Sequence, residues 1–124
     1  VYGTGGQSRA FIHISDTARC IGLACDTPPE PGTRPRVFNQ VAEVHTVRDL
    51  AGMVSRETGT PIDFVDNPRK ELSENTLDVS NAGLRGLGFK PVLLEDALVS
   101  EVSDVVGRYA ARLAPAVIHS HARW

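Results

Sequence analysis

Three short stretches rich in β-formers are all that this chain offers a sheet, and a helical pattern follows each. Arg9 to Ile14, Arg36 to Val41 and Ile62 to Val65 read as strands. The alternation puts the chain in the α/β class and excludes an all-α bundle or a β sandwich. It also raises a difficulty. A parallel sheet normally has more strands than this and cover on both faces. The three strands are therefore expected at the edge of a sheet whose centre lies elsewhere.

The helices are marked by their caps and apolar spacing. Ser15 or Asp16 can cap a helix to about Cys25, with Ala18, Ile21 and Cys25 on its apolar face. Thr46 and Asp49 form a capping box ahead of Val47, Leu50, Ala51 and Val54, and Gly59 supplies the stop. A short helix starts at Asp78 or Ser80 and ends at Gly88. The longest runs from about Glu95 to Leu113, with Leu98, Val102, Val105, Tyr109 and Leu113 as its buried stripe. That makes about four helices. Thr27 to Pro35 holds four prolines and must be a surface connection, and Ala114 to Trp124 reads as a tail.

Several kinds of chemistry are excluded at this level. The 13 basic residues against 15 acidic ones leave no excess of positive charge to neutralise phosphates, so no nucleic-acid partner is expected. No apolar run approaches the ~18 residues of a membrane span, and no signal peptide opens the chain. Neither a membrane partner nor export is therefore expected. Gly3-x-Gly5-Gly6 precedes a strand and lacks dinucleotide spacing, so no cofactor is expected on this chain. Cys20 and Cys25 lie five apart on one helix, where their side chains diverge. They read as buried thiols of a reducing compartment, the cytoplasm. His119-x-His121 has no partner ligands at metal spacing, and His13 reads as a sheet-surface residue. No catalytic constellation can be assembled.

Two arginines are more informative. Arg9 follows the polar run Gly5-Gly6-Gln7-Ser8, and Arg69 follows Asn67-Pro68 just after a strand. Loops at strand ends are where open α/β sheets collect ligand residues, and two guanidinium forks from separate loops can clamp a diphosphate. The plainer alternative is two solvated surface arginines.

The same segments carry a resemblance. Gly5-Gly6-Gln7-Ser8-Arg9, Arg36-Val37-Phe38-Asn39-Gln40 and Asn67-Pro68-Arg69 occur in series, followed by Leu87-Gly88-Phe89-Lys90-Pro91 and a long helix. In this order they resemble the C-terminal half of extended short-chain dehydrogenase/reductases, the NAD-dependent sugar epimerase/dehydratase family. Within it they look most like the UDP-sulfoquinovose synthase group. The resemblance implies a Rossmann-type enzyme whose substrate-binding C-terminal region corresponds to residues 1–113, with 114–124 as the tail. It implies that Arg9 and Arg69 contact the diphosphate of a UDP-sugar, with Gln7, Ser8 and Asn67 beside them.

Two departures qualify it. The family's NAD-binding glycine motif and Tyr-x-x-x-Lys pair belong to an N-terminal half that this sequence does not show. The acids after Asn67-Pro68-Arg69 lack the accompanying aromatics of the sulfoquinovose synthase group. The chain also opens on Val1 rather than Met. The leading expectation is thus a UDP-sugar-binding portion, a fragment not catalytically complete alone, that pairs with a separate N-terminal half or with a second copy. Its rivals are a non-catalytic, self-associating interaction module and an inert truncated product.

Overall fold

β1 (Gly6–Phe11) is the centre of the sheet and not an edge. A computed structural model describes residues 1–68, 72, 74–112 and 114. On one side β1 pairs antiparallel with β2 (Glu43–Thr46), and on the other it pairs parallel with β3 (Glu74–Asn75). Helix α1 (Ile14–Asp26) follows β1, α2 (Val47–Thr58) follows β2, and the short α3 (Ala82–Gly86) follows β3. A π-helical turn (Leu94–Leu98) then opens α4 (Val99–Tyr109), and a 3-10 turn (Ala110–Arg112) closes the described helices. The α/β class with few short strands holds. The edge expectation does not hold for β1, which is paired on both sides.

Two of the three predicted strands are displaced. Arg36 to Val41 forms no strand, and its Val37 is 88% exposed. Its polar groups find irregular partners. The Asn39 amide donates to the Ser80 carbonyl (3.1 Å), the Asn81 amide donates to the Val41 carbonyl (2.7 Å), and Arg36 stacks over Phe38. Phe38 rests on Gly83, where a Cβ would stand 3.1 Å from the ring, so packing on α3 replaces a ladder. Ile62 to Val65 contributes only one parallel bridge, Tyr2 to Val65.

Helix α1 is capped by His13, two residues before the first expected cap Ser15, through the Ser15 N–H donated to its ring Nδ1 (3.2 Å). His13 is therefore a cap and not a sheet-surface residue. The predicted apolar face of α1 is also the wrong one. Ala18, Ile21 and Cys25 are exposed, whereas Asp16 and Cys20 are buried and Leu23, Ala24 and Thr27 partly so. A carboxylate heads the core stripe, which a search for apolar spacing passes over. Of the two free thiols Cys20 alone is buried, and Cys25 faces solvent. Burial pushes the Cys20 thiol up, the Asp16 carboxylate adds to this, and Arg19 opposes it, so Cys20 stays a protonated core group.

The core gathers Cys20, Leu84 and Phe89, with Ile12, Leu23 and Phe38 against them. Helix α3 reaches it because its end is tightly closed. The Phe89 N–H donates to the Leu84 carbonyl (3.1 Å) and the Gly88 N–H to that of Arg85 (2.9 Å), with Gly88 at φ +90°. That is a Schellman closure, and only glycine enters it without strain. Three residues of the stripe expected to be buried on the last helix are not. Val102, Val105 and Tyr109 are each about half exposed, and Leu113 lies outside the described residues.

The capping box of α2 is present as read from the sequence. The Asp49 N–H donates to Thr46 Oγ1 (3.1 Å), while the Thr46 N–H and hydroxyl donate to Asp49 Oδ2 (3.1 and 2.6 Å). These bonds hold the Asp49 carboxyl below the usual aspartate range, the hydroxyl contributing most. Thr46→Ala is expected to cost about 1 kcal/mol of stability near neutral pH. A depressed carboxylate stabilises above its unfolded pKa and loses this as pH falls through its folded value. The Tm gap between Thr46→Ala and wild type should therefore narrow from about pH 6 to about pH 2, as followed by thermal melts.

Candidate functional site

Side chains alternate along β1, so Gln7, Arg9 and Phe11 share one face, and Ser8 and Ala10 share the other. The antiparallel register sets His45 opposite Arg9 and Glu43 opposite Phe11, which puts all five side chains on the Gln7–Phe11 face. Glu43 organises this face. One carboxylate oxygen pairs with His45 Nε2 (2.7 Å), and the other accepts the Leu94 N–H. The Phe11 and His45 rings are 6.4 Å apart. Arg9 is partly buried, and its Nη1 donates to the Ser8 carbonyl (3.0 Å). The face is polar and carries two basic side chains opposite one another.

Val65 is bonded in both directions to the chain ahead of β1: the Gly3 N–H donates to the Val65 carbonyl (2.8 Å) and the Val65 N–H donates to the Val1 carbonyl (2.9 Å). Asn67 then lies against Gly3, where an added Cβ would stand 3.5 Å from that of Asn67. Leu72 and Asn75 are bonded to β1 itself. Gln7, almost wholly buried, donates its amide to the Leu72 carbonyl (3.3 Å). The Ser8 N–H donates to Asn75 Oδ1 (2.8 Å), and the Ser8 hydroxyl donates to the Asn75 carbonyl (2.9 Å). Gln7 and Arg9 thus share one face of β1, Ser8 stands on the other, and Asn67 lies ahead of the strand at Gly3. Arg69 lies outside the described residues, as do His119 and His121.

Sequence reasoning missed Glu43, His45 and Asn75. The first two were hidden by the placing of the strand at 36–41. The alternation Glu43-Val44-His45 immediately before the Thr46 cap was the available signal.

The glycine run packs against the start of α2. At Gly5 (φ +70°) a Cβ would come within 3.1 Å of the Arg48 backbone nitrogen and 2.9 Å of Val1. The Gly5 carbonyl accepts the Arg48 N–H (2.9 Å), and the Thr4 carbonyl takes the Arg48 guanidinium through Nε (3.0 Å) and Nη2 (2.6 Å). The first turn of α2 therefore packs directly on the glycine run.

No family model matches the chain. Among proteins of known function, the chloroplastic UDP-sulfoquinovose synthase of Spinacia oleracea is 36% identical over 129 residues, an alignment covering 100% of this chain and 27% of that protein. The chain belongs to the short-chain dehydrogenase/reductase family, as an epimerase-like region. A UDP-sulfoquinovose synthase of Sulfolobus acidocaldarius is likewise 36% identical, over 73% of the chain and 24% of its own length. The epimerase-like region thus spans about a quarter of the length of these relatives. Its fold is that of part of the UDP-N-acetylglucosamine 4-epimerase of Methanobrevibacter ruminantium M1, solved with UDP-N-acetylmuramic acid. The TM-score is 0.59 at 23% identity, over 91% of this chain and 34% of that one. Among the described residues, no helix is long and apolar enough to cross a membrane.

Proposed function

We propose that this chain binds a UDP-sugar as the substrate-binding, C-terminal region, residues 1–113, of an NAD-dependent epimerase or sulfoquinovose synthase-like enzyme. The carrying observation is the β1 face on which Arg9 stands opposite His45, with the buried Gln7 on the same face bonded to the Leu72 carbonyl. Arg9 offers a fork to one phosphate of the sugar nucleotide, and Asn67 and Arg69 share the diphosphate with it, as the resemblance implies. Gln7 and Ser8 serve the same site by fastening Leu72 and Asn75 to β1. The names of the relatives favour a UDP-sugar over other anions. NAD and the proton-transfer groups belong to a part of the enzyme outside this chain, so no hydride step is assigned here.

Calorimetric titration of the 124-residue chain with UDP-glucose tests the proposal. Binding should weaken by about 10- to 100-fold in Arg9→Ala and in Arg69→Ala, the loss of a hydrogen bond to a charged group. Absence of binding by the wild type at millimolar ligand would overturn it.

A second reading, a non-catalytic module that self-associates, is favoured by the half-exposed Val102, Val105 and Tyr109 along α4. A stable dimer on a sizing column together with absent binding would select it.

A further inference from the structure

We infer that His45 is a second phosphate-binding group, gripping the diphosphate from β2 across from Arg9 on β1; this rests on the UDP-sugar reading above and adds a residue to it. A diphosphate carries more negative charge than one guanidinium balances. On the face that bears Arg9, Gln7 is buried and spent on the Leu72 carbonyl, Phe11 is apolar and Glu43 is an acid. Among the described residues of β1 and β2 on this face, only His45 besides Arg9 can take a positive charge. The register makes the two direct partners, which sets their Cβ atoms about 5 Å apart. Two cations set opposite one another repel, and an anion between them turns that cost into attraction.

The ring is held ready for this role. Its Nε2 meets Glu43 Oε2 at 2.7 Å, and the second Glu43 oxygen accepts the Leu94 N–H, so the carboxylate is itself fixed. The Phe11 ring lies 6.4 Å away, tilted by 50°. The His45 and Glu43 side chains are 22% and 17% exposed, so solvent reaches the pair but screens it less than at an open surface. Glu43 takes one ring nitrogen, and Nδ1 makes no hydrogen bond to the described residues. An imidazolium donates at both nitrogens, so a phosphate oxygen at Nδ1 and Glu43 at Nε2 together favour the doubly protonated ring. Arg9 and His45 then hold the phosphate from neighbouring strands by charge-assisted hydrogen bonds. Glu43 orients the imidazole without touching the ligand, as a positioning residue.

The test titrates the full chain with UDP at about pH 7.5, where an imidazole in water is mostly neutral. In the UDP-saturated chain, nitrogen NMR should show both ring nitrogens of His45 protonated, with the Nδ1 signal displaced between the free and bound forms. These ring signals are assigned by through-bond correlation to the His45 main chain and need no variant. His45→Gln keeps a polar side chain without the charge and should weaken UDP binding by about five- to tenfold. A neutral His45 ring at saturation, an unmoved Nδ1 signal, or unchanged affinity in His45→Gln would each overturn the inference while Arg9→Ala still loses binding. If His45→Gln fails to fold, the NMR result alone decides. Absence of UDP binding by the wild type, or undiminished binding in Arg9→Ala, would instead overturn the UDP-sugar reading.

Discussion

Leu84→Ala is expected to cost about 3 kcal/mol, near the low end of what buried leucines lose on truncation. Leu84 is 1% exposed and forms one cluster with Cys20 and Phe89, against which Ile12, Leu23 and Phe38 pack. These neighbours come from α1, from the segment after β1, from the irregular 36–41 stretch and from the turn beyond α3. They are tied to separate hydrogen-bonded supports and cannot collapse freely into the space left, so a cavity term adds to the lost transfer term. Helix α3 is five residues long and too short to persist without its docking side chain. Against a total of about 5–15 kcal/mol for a domain of this size, the loss is large. Urea denaturation should show a lower midpoint with an unchanged slope, and Leu84→Met should cost less than about 1.5 kcal/mol. An Ala variant within about 1 kcal/mol of wild type would show that this cluster does not hold the fold together.

What the sequence revealed follows from how local each signal is. The α2 capping box, its Gly59 stop and the proline-rich connection are written in neighbouring residues, and each is present. The face of α1 depended on a partner 76 residues away, because Asp16 is buried only where the Val92 N–H meets it. Apolar spacing therefore chose Ala18, Ile21 and Cys25, the exposed side. The 36–41 stretch has β-forming residues, but Phe38 found Gly83, and the strand formed over the four residues immediately before α2 instead. The apolar spacing of Val102, Val105 and Tyr109 correctly marks an amphipathic helix; spacing cannot tell whether anything in the chain covers that face. At the candidate site, the Gly5–Arg9 motif was legible as a run. Its neighbours Glu43, His45 and Asn75 were not, since cross-strand register is a property of the fold.

The same long-range contact makes Asp16→Ala the second large expected loss, about 2–4 kcal/mol by urea denaturation. Asp16 is 0% exposed, and its two oxygens are used differently. Oδ1 pairs with Arg19, whose side chain is 52% exposed, whereas Oδ2 accepts the Val92 N–H at 2.7 Å. The ion pair is the weaker hold, because water can take the place of a half-exposed guanidinium. Arg19→Ala should accordingly cost only about 1 kcal/mol or less. The bond to Val92 has no such substitute. Losing it strands a partly buried N–H and frees the segment leading into the π-helical turn, which Glu43 grips two residues later through Leu94. Glu43 also holds His45 opposite Arg9, so loosening at Val92 reaches the candidate face through a carboxylate that serves both. Asp16→Asn keeps an acceptor for Val92 without the charge and should lie between alanine and wild type. If Arg19→Ala proved as costly as Asp16→Ala, the ion pair rather than the backbone bond would be the anchor of this segment.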